Sequence, residues 1–446
     1  MTDSGKVSGA AGGVKTNGHG PLGTPGQIAA EKRALRLIQA PEVAALRPAL
    51  RAMLEADPAA RLPDAAQLID RAIDLWSMDL AVCEAIGDTQ RPQFVWRADN
   101  AAHIWFGHAF PGAGVAGDNP DHIPRTSFIE GSCRYEVRGR LSSNPPAQLS
   151  FEIIPGTPGA TPLRPQSNKS PDLGAQVSLL KDSQMTFDAD GRFTILIGPE
   201  NEPGNANFMK TDPGPMTIIV RDILSDWSQI PATLDIRLLG EPSSPPPTED
   251  DILKRFVADL PGYMRFWSSF KDNWLGGLAD NILVGPVARE GGWGYLGAGR
   301  FNLGRDDALV ISTTDGGGKY TGFQITDPWM LIPRDSRNGN LSLNNSQVAR
   351  NPDGSVTYAL SPSDPGLANW IDTGGLQHGF LLLRWAGMPA QVDAQALVRQ
   401  VEVMKLSDIP TRIPAAVPRL DAKARAVQVA KRTTDYDRRL GASSSG

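Results

Sequence analysis

Long apolar runs are missing from this chain. No stretch approaches the roughly 20 consecutive apolar residues of a membrane-spanning helix. The opening MTDSGKVSGAAGGVKTNGHG has no apolar core of signal-peptide length either, and its Gly, Ser and Ala content predicts a mobile tail over residues 1–26. Cysteine is nearly absent, with Cys83 and Cys133 only. That excludes a disulfide framework and fits reduced thiols in a cytoplasmic protein. A basic surplus is also lacking: 44 Lys and Arg stand against 49 Asp and Glu, a net charge of −5, so a nucleic-acid partner is not expected. Several chemical signatures are absent as well. There is no G-x-S-x-G elbow and no H-E-x-x-H. GGGKYTG at Gly316 lacks phosphate-loop spacing, and GGWGYLGAGRFNLG does not present G-x-G-x-x-G between a strand and a helix. No cofactor and no metal are expected.

What the chain does have is glycine and proline, 46 and 37 of 446 residues. That is nearly a fifth of the chain, against about 12% in ordinary domains, and it favours a turn-rich β protein. The organisation follows from the hydrophobic period. Residues 27–90 read as a helical cap, with Leu68, Ile69, Ala72, Ile73 and Trp76 forming one stripe and Pro41 and Pro63 opening helices. Residues 91–241 carry short β-rich runs such as RYEVRGRL, AQLSFEII, GRFTILIG and PMTIIVRDI. Residues 242–280 hold a Pro-Ser linker, a capping signal at Thr248 and Asp251, and two aromatic helical segments separated by Pro261-Gly262. β character returns over 281–415, and 416–446 read as an exposed terminal helix packed through Leu420, Ala424 and Val427.

The two β regions echo each other. DGRFTILIGPENEPGNANFMKTDPGPMTIIVRD begins at Asp190, and DGSVTYALSPSDPGLANWIDTGGLQHGFLLLRW begins at Asp353. Each runs from Asp-Gly through Pro-Gly and an Ala-Asn-aromatic step to an apolar run that meets Arg221 or Arg384. A second alignment sets DNPDHIPRTSFIEGSCRYEVRGRL against GRDDALVISTTDGGGKYTGFQI. An internal repeat this long predicts a duplicated domain rather than a solenoid. The expected fold is mainly β with helical additions: two tandem β-sandwich (jelly-roll-like) domains, an N-terminal helical cap, bridging aromatic helices and a C-terminal helix. Phe193, Ile195 and Ile197, and Val356, Tyr358 and Leu360, should face the two cores.

A set of residues in the last third is similar to the hallmark of a bacterial domain-of-unknown-function family, number 1214. They are Ser342-Leu343-Asn344, Gln347, Asp353-Gly354, Asp364-Pro365-Gly366, Asn369-Trp370, Asp372-Thr373, Gly379 and Arg384-Trp385. In the first β region relatives often show Asn-Pro-Asp-Asn before an aromatic, where this chain has Asn119, Pro120, Asp121 and His122. The resemblance implies tandem jelly-roll-like domains in soluble or exported bacterial proteins. It carries no agreed reaction, and implies an accessory place in catabolic or lipid and terpenoid metabolism.

Candidate chemistry concentrates in WRADNAAHIWFGHAFPGAGVAGDNPDHIPR, which gathers His103, His108 and His122 with Asp99, Asp118, Asp121, Arg97 and Arg125. A histidine beside a carboxylate can act as a general base near neutrality. In that role His122 would be the base, Asp118 or Asp121 would orient it, and Arg125 would stabilise developing negative charge. His103 and His108 are five apart, which suits neither a helical nor a strand pair. Trp293, Tyr295 and Trp370, with Asp372 and His378, are candidates for a ligand pocket; Asp372 and His378 have no counterpart in the first copy. The function expected is a cofactor-independent lyase, hydratase or hydrolase acting on a small hydrophobic or partly polar metabolite. The alternative is a non-catalytic small-molecule-binding or assembly protein. A small-molecule ligand is the expected partner, with a homo-oligomer allowed.

Overall fold

The computed structural model describes residues 15–16, 20–97, 101–156, 176–201, 204–275, 277–292, 294–334 and 336–440. After the short strand β1 (Lys15–Thr16) come four helices: α1 (Pro25–Ile38), α2 (Pro41–Glu55), α3 (Pro63–Gln67) and α4 (Ile69–Ala85). Pro25, Pro41 and Pro63 each open a helix, where a missing N–H costs nothing. The stripe of α4 is buried as the spacing requires, Ile69, Ala72, Ile73 and Trp76 all being 2% exposed or less.

The first lobe contains β2 (Val95–Trp96), β3 (His103–Trp105), β4 (His108–Phe110), β5 (His122–Glu130), β6 (Tyr135–Arg140), β7 (Gln148–Pro155), β8 (Ser178–Lys181), β9 (Arg192–Gly198), β10 (Phe208–Lys210), β11 (Pro215–Ile223) and β12 (Thr233–Leu238). Helix α5 (Glu249–Trp274) then leads to the second lobe. Its strands are β13 (Ile282–Ala288), β14 (Tyr295–Asn302), β15 (Asp307–Thr313), β16 (Tyr320–Thr326), β17 (Ser342–Asn344), β18 (Val356–Ser361), β19 (Trp370–Asp372), β20 (His378–Ala386) and β21 (Val398–Lys405). The chain ends with α6 (Ile409–Arg412) and α7 (Ala422–Arg438).

Each lobe is a sandwich of a five-stranded and a four-stranded sheet, and the strand orders repeat. Order β2-β5-β11-β7-β8 in the first lobe corresponds to β13-β14-β20-β16-β17 in the second. Order β10-β9-β6-β12 corresponds to β19-β18-β15-β21, including one parallel pair in each. Phe193, Ile195 and Ile197 face the first core, and Val356, Tyr358 and Leu360 face the second, as their alternation requires. The topology corrects the second alignment by one strand: β5 corresponds to β14, not to β15, so β6 pairs with β9 as β15 pairs with β18. Gly-Arg-Asp-Asp and Asp-Asn-Pro-Asp are both turn chemistry, and turn chemistry recurs before every strand.

The Ala-Asn-aromatic step has the structural role its repetition suggested. Asn207 Nδ2 donates to the Thr186 and Thr194 carbonyls while its Oδ1 accepts from Thr186 N. Asn369 repeats all three bonds with Ala349 and Thr357.

Two expectations about helices are corrected. The bridging segment is one helix, α5, that runs through Pro261. A proline inside a helix loses a hydrogen bond and crowds the preceding turn. Here that cost is offset by one continuous buried stripe, Ile252, Phe256, Leu260, Met264 and Trp267. Its start is capped as expected, Thr248 and Asp251 exchanging side-chain-to-backbone bonds. The terminal helix α7 does not pack through Leu420, Ala424 and Val427; Val427 is 65% exposed. Its buried side is Arg425, Arg432, Asp435 and Tyr436. Arg425 forks onto Asp364 and donates to the Leu367 and Ala368 carbonyls. The start of the helix docks onto a polar loop, and Tyr436 near its end packs edge-on against Trp227 in an apolar cluster, so the stripe read from the sequence was the wrong face.

Candidate functional site

In β5 the alternation of a strand sends Ile123 and Arg125 inward and leaves His122, Pro124 and Thr126 on the outer face of the large sheet. In β11 the same rule puts Ile218 and Val220 in the first core and Ile219 and Arg221 outside. In β20 it puts Leu381 and Leu383 in the second core and Arg384 outside. These outer faces enclose a cavity of about 140 Å³ between the lobes, lined by His122, Arg221 and Arg384 and by Leu296 of β14. Loop residues Val115–Asn119 and Arg289 close its sides, and Trp267 and Phe270 of α5 form an aromatic wall. Arg221 and Arg384 therefore reach one cavity from corresponding strands of the two lobes.

The charges are unevenly matched. Arg97 is held by a buried fork to Asp79, 2.8 and 2.7 Å. Arg221 bonds Glu152 at 2.6 Å. Arg384 instead bonds neutral acceptors, Gln324 Oε1 and the Gly117 carbonyl. Burial and the neighbouring Arg289 and Arg221 draw its pKa down to about 10, so it stays cationic at neutral pH. Gln324 also donates to the Asp118 carbonyl, bracing the loop of the first lobe against the second. His122 Nε2 is buried without a hydrogen-bond partner. Burial first, then Arg384, Arg221 and Arg289, holds its pKa well below the usual histidine value, so the ring is neutral. Trp267 Nε1 is likewise buried and unpartnered. A cavity rimmed by guanidinium groups, the Trp267 N–H and the His122 ring nitrogen can hold an anion or an oxygen-rich group.

The predicted residues divide into three groups. His122 and Asp118 line the cavity. Asp118 spends one carboxylate oxygen on Val115 N, 2.8 Å, shaping the loop. Asp121 lies beside the cavity but does not orient His122: it accepts from Trp227 Nε1, Tyr320 OH and Asn344 Nδ2 at 2.7–2.9 Å. Burial pushes its carboxyl up against those bonds. Arg125 points away, because it stands an odd number of residues from His122; it is sealed into the first lobe on Asp222 and the Ala232 carbonyl.

His103 and His108 meet in a different place. They sit on the adjacent strands β3 and β4, whose tight turn uses positive φ at Phe106 and Gly107. Both rings reach Glu31 of α1, at 3.1 and 3.3 Å. Trp105 Nε1 and Gln27 Nε2 bond the same carboxylate at 2.8 and 2.9 Å. Burial raises the Glu31 pKa, but the bonds from His103, His108 and Trp105 outweigh it and hold the value at about 2. A five-residue spacing is the span of a hairpin with a two-residue turn, and Glu31 lies in a helix that carried no chemical signal.

The second predicted cluster is not assembled around the cavity. Tyr295 packs against the second core. Trp370 Nε1 bonds the Ser361 carbonyl at 3.0 Å. Asp372 pairs with Arg334 and caps its own turn through Gly374 N. His378 Nδ1 lies 3.0 Å from Asp64 of the helical cap. Asp99 and Trp293 lie outside the described residues. Arg221, Arg289, Arg384 and Trp267 were not singled out as site residues. The two that close the repeated segments, Arg221 and Arg384, were visible in the echo itself.

Among the described residues no helix is long and apolar enough to cross a membrane. No curated protein matches the chain. A solved structure of an uncharacterised protein from Burkholderia cenocepacia superposes with a TM-score of 0.67 at 22% identity, covering 84% of this chain and 99% of that one. It bears out the fold. A second, the VPA0106 protein from Vibrio parahaemolyticus, gives a TM-score of 0.36 at 9% identity, covering 65% and 90%. The pattern of the family described as "Protein of unknown function (DUF1214)" matches residues 125–223 and 325–389. The match is thus not confined to the last third: its longer part holds β5 to β11, and its shorter part includes β18 to β20. Over these two segments, which contribute Arg221 and Arg384 to the shared cavity, the chain belongs to the DUF1214 family.

Proposed function

We propose that the protein binds a small organic anion in the cavity between its two lobes. One observation carries this reading: Arg384 is half-buried, cationic and bonded to neutral acceptors only, beside Arg221, Arg289 and an unpartnered His122 Nε2. A half-buried guanidinium whose hydrogen bonds all go to neutral groups gains from an anion that completes it. The size fits a small metabolite, since a cavity of about 150 Å³ holds a benzene-sized molecule. The repeated strand order supports descent of the two lobes from one duplicated unit, with the site at their junction.

A second reading adds proton transfer by His122, favoured by its neutral ring and its free Nε2 in the cavity. A neutral imidazole of low pKa is a weak base. A bound anion would offset the arginines and raise that pKa, so ligand and proton would bind together. On this reading the protein is a cofactor-independent lyase, hydratase or hydrolase; without it, a binding protein.

Isothermal titration calorimetry with a panel of small carboxylates and phosphates tests the main reading. Saturable binding that Arg384→Gln weakens supports it, and no binding by any anion rejects it. Mass spectrometry of the recovered ligand separates the two readings, because only an enzyme returns a changed molecule.

A further inference from the structure

Resting on that reading, we infer that the ligand is a small monocarboxylate with a compact apolar body, rather than a phosphate ester. The charge available in the cavity is limited. Arg97 and Arg221 already face Asp79 and Glu152, and Asp118 stands against Arg289 and Arg384 in the lining, so one net positive charge is left. A dianionic phosphate would meet that carboxylate with too little positive charge left to balance it, whereas a single negative charge matches Arg384. The planar fork of a guanidinium also fits a carboxylate edge-on.

Much of the rest of the lining is apolar. Ile219 and Pro124 stand on one lobe, Leu296 on the other, and Trp267 and Phe270 on α5. The two rings pack edge-on, with centroids 5.5 Å apart, so the wall is a rigid aromatic corner. A volume of about 140 Å³ leaves room beside the carboxylate for about four carbon atoms. The N–H group of Trp267 could take a second oxygen such as a hydroxyl or keto group.

Calorimetry on the full chain with four probes decides this: 3-methylbutanoate, its neutral amide, isobutyl phosphate and inorganic phosphate. The inference expects 3-methylbutanoate to bind best, the amide and isobutyl phosphate each about tenfold or more weaker, and inorganic phosphate weakest, since losing a charge-assisted bond is worth about a factor of ten. Tighter binding of isobutyl phosphate than of 3-methylbutanoate would overturn the carboxylate assignment while leaving an anion site standing. Equal binding of the amide and the acid would overturn the role of Arg384. Binding by none of the four would remove both the inference and the reading beneath it. Arg384→Lys keeps the charge but loses the fork; the inference expects it to bind 3-methylbutanoate several-fold more weakly at unchanged melting temperature, and unchanged affinity would contradict the forked contact.

Discussion

The two lobes share one strand order and treat their outer surfaces in opposite ways. In the second lobe the outer face of the four-stranded sheet, with Ala308, Val310 and Ala359, is covered by the segment that carries Ile409, Ile413 and Val417. In the first lobe the matching face carries Glu136, Arg138 and Arg237, which pair with one another in solvent. The register makes Glu136 the counterpart of Val310. The edges of the large sheets differ too. In the first lobe Gln27 of α1 bonds both the N–H and the carbonyl of Trp96, standing in for a neighbouring strand. In the second, β13 keeps its edge open, with Ile282, Val284 and Val287 about half exposed, and is broken by a bulge and Pro286. Such interruptions discourage edge-to-edge pairing. Only the faces turned toward each other are used alike, and there each lobe supplies one arginine. What the lobes have in common is therefore the sandwich and the site; what differs is how each was closed against water.

This comparison can be broken most sharply by exchanging its two outer faces. Val310→Glu buries a charge under the C-terminal segment and should cost about 4 kcal/mol or more. Thermal or denaturant unfolding that shows a small loss would mean the segment does not cover that face.

Acid unfolding probes the helical cap, which contacts both lobes and has no counterpart in the repeat. The pKa of Glu31 is about 2 in the fold against an ordinary 4.5. A depressed carboxylate stabilises the fold above its unfolded pKa, and that contribution is lost as pH falls from about 4.5 toward 2. It amounts to about 3 kcal/mol. Glu31→Gln should flatten the pH dependence in that window; an unchanged acid limb would remove the caged charge from the account.

The shared part is tested by Asn207→Ala and Asn369→Ala. Each removes the same three bonds, so each should cost about 1–3 kcal/mol. Clearly unequal costs would mean that the two steps are not equivalent. The smallest effect belongs to Glu136→Val, expected within about 0.5 kcal/mol of the parent, because paired surface charges contribute little.

Much of this architecture was readable from the chain, and the reasons are local. Turn chemistry, alternation and first-turn prolines act over a few residues, so the sandwiches, the cap and the linker could be drawn. Arg125 and His122 were harder to separate, because which face of β5 is buried depends on its pairing with β11 and not on its own sequence. Alternation alone puts Arg125 opposite to His122 but does not say which side holds the cavity. The docking of α7 through arginines escaped because polar contacts leave no hydrophobic period. Glu31 escaped because its partners lie about 70 residues away in a hairpin. Arg384 was in view as a repeated residue, and repetition was read as a sign of fold rather than of function. In this protein the repeated arginine lines the cavity, since both lobes turn the same strand face toward it.

A crystal grown with a bromine-labelled monocarboxylate of about seven non-hydrogen atoms tests the central claim most directly. The account predicts an anomalous bromine peak in the apolar corner beside Trp267 and Phe270, with carboxylate density turned toward Arg384. A peak found only on the outer surfaces, or an unchanged cavity at saturating ligand, would contradict it.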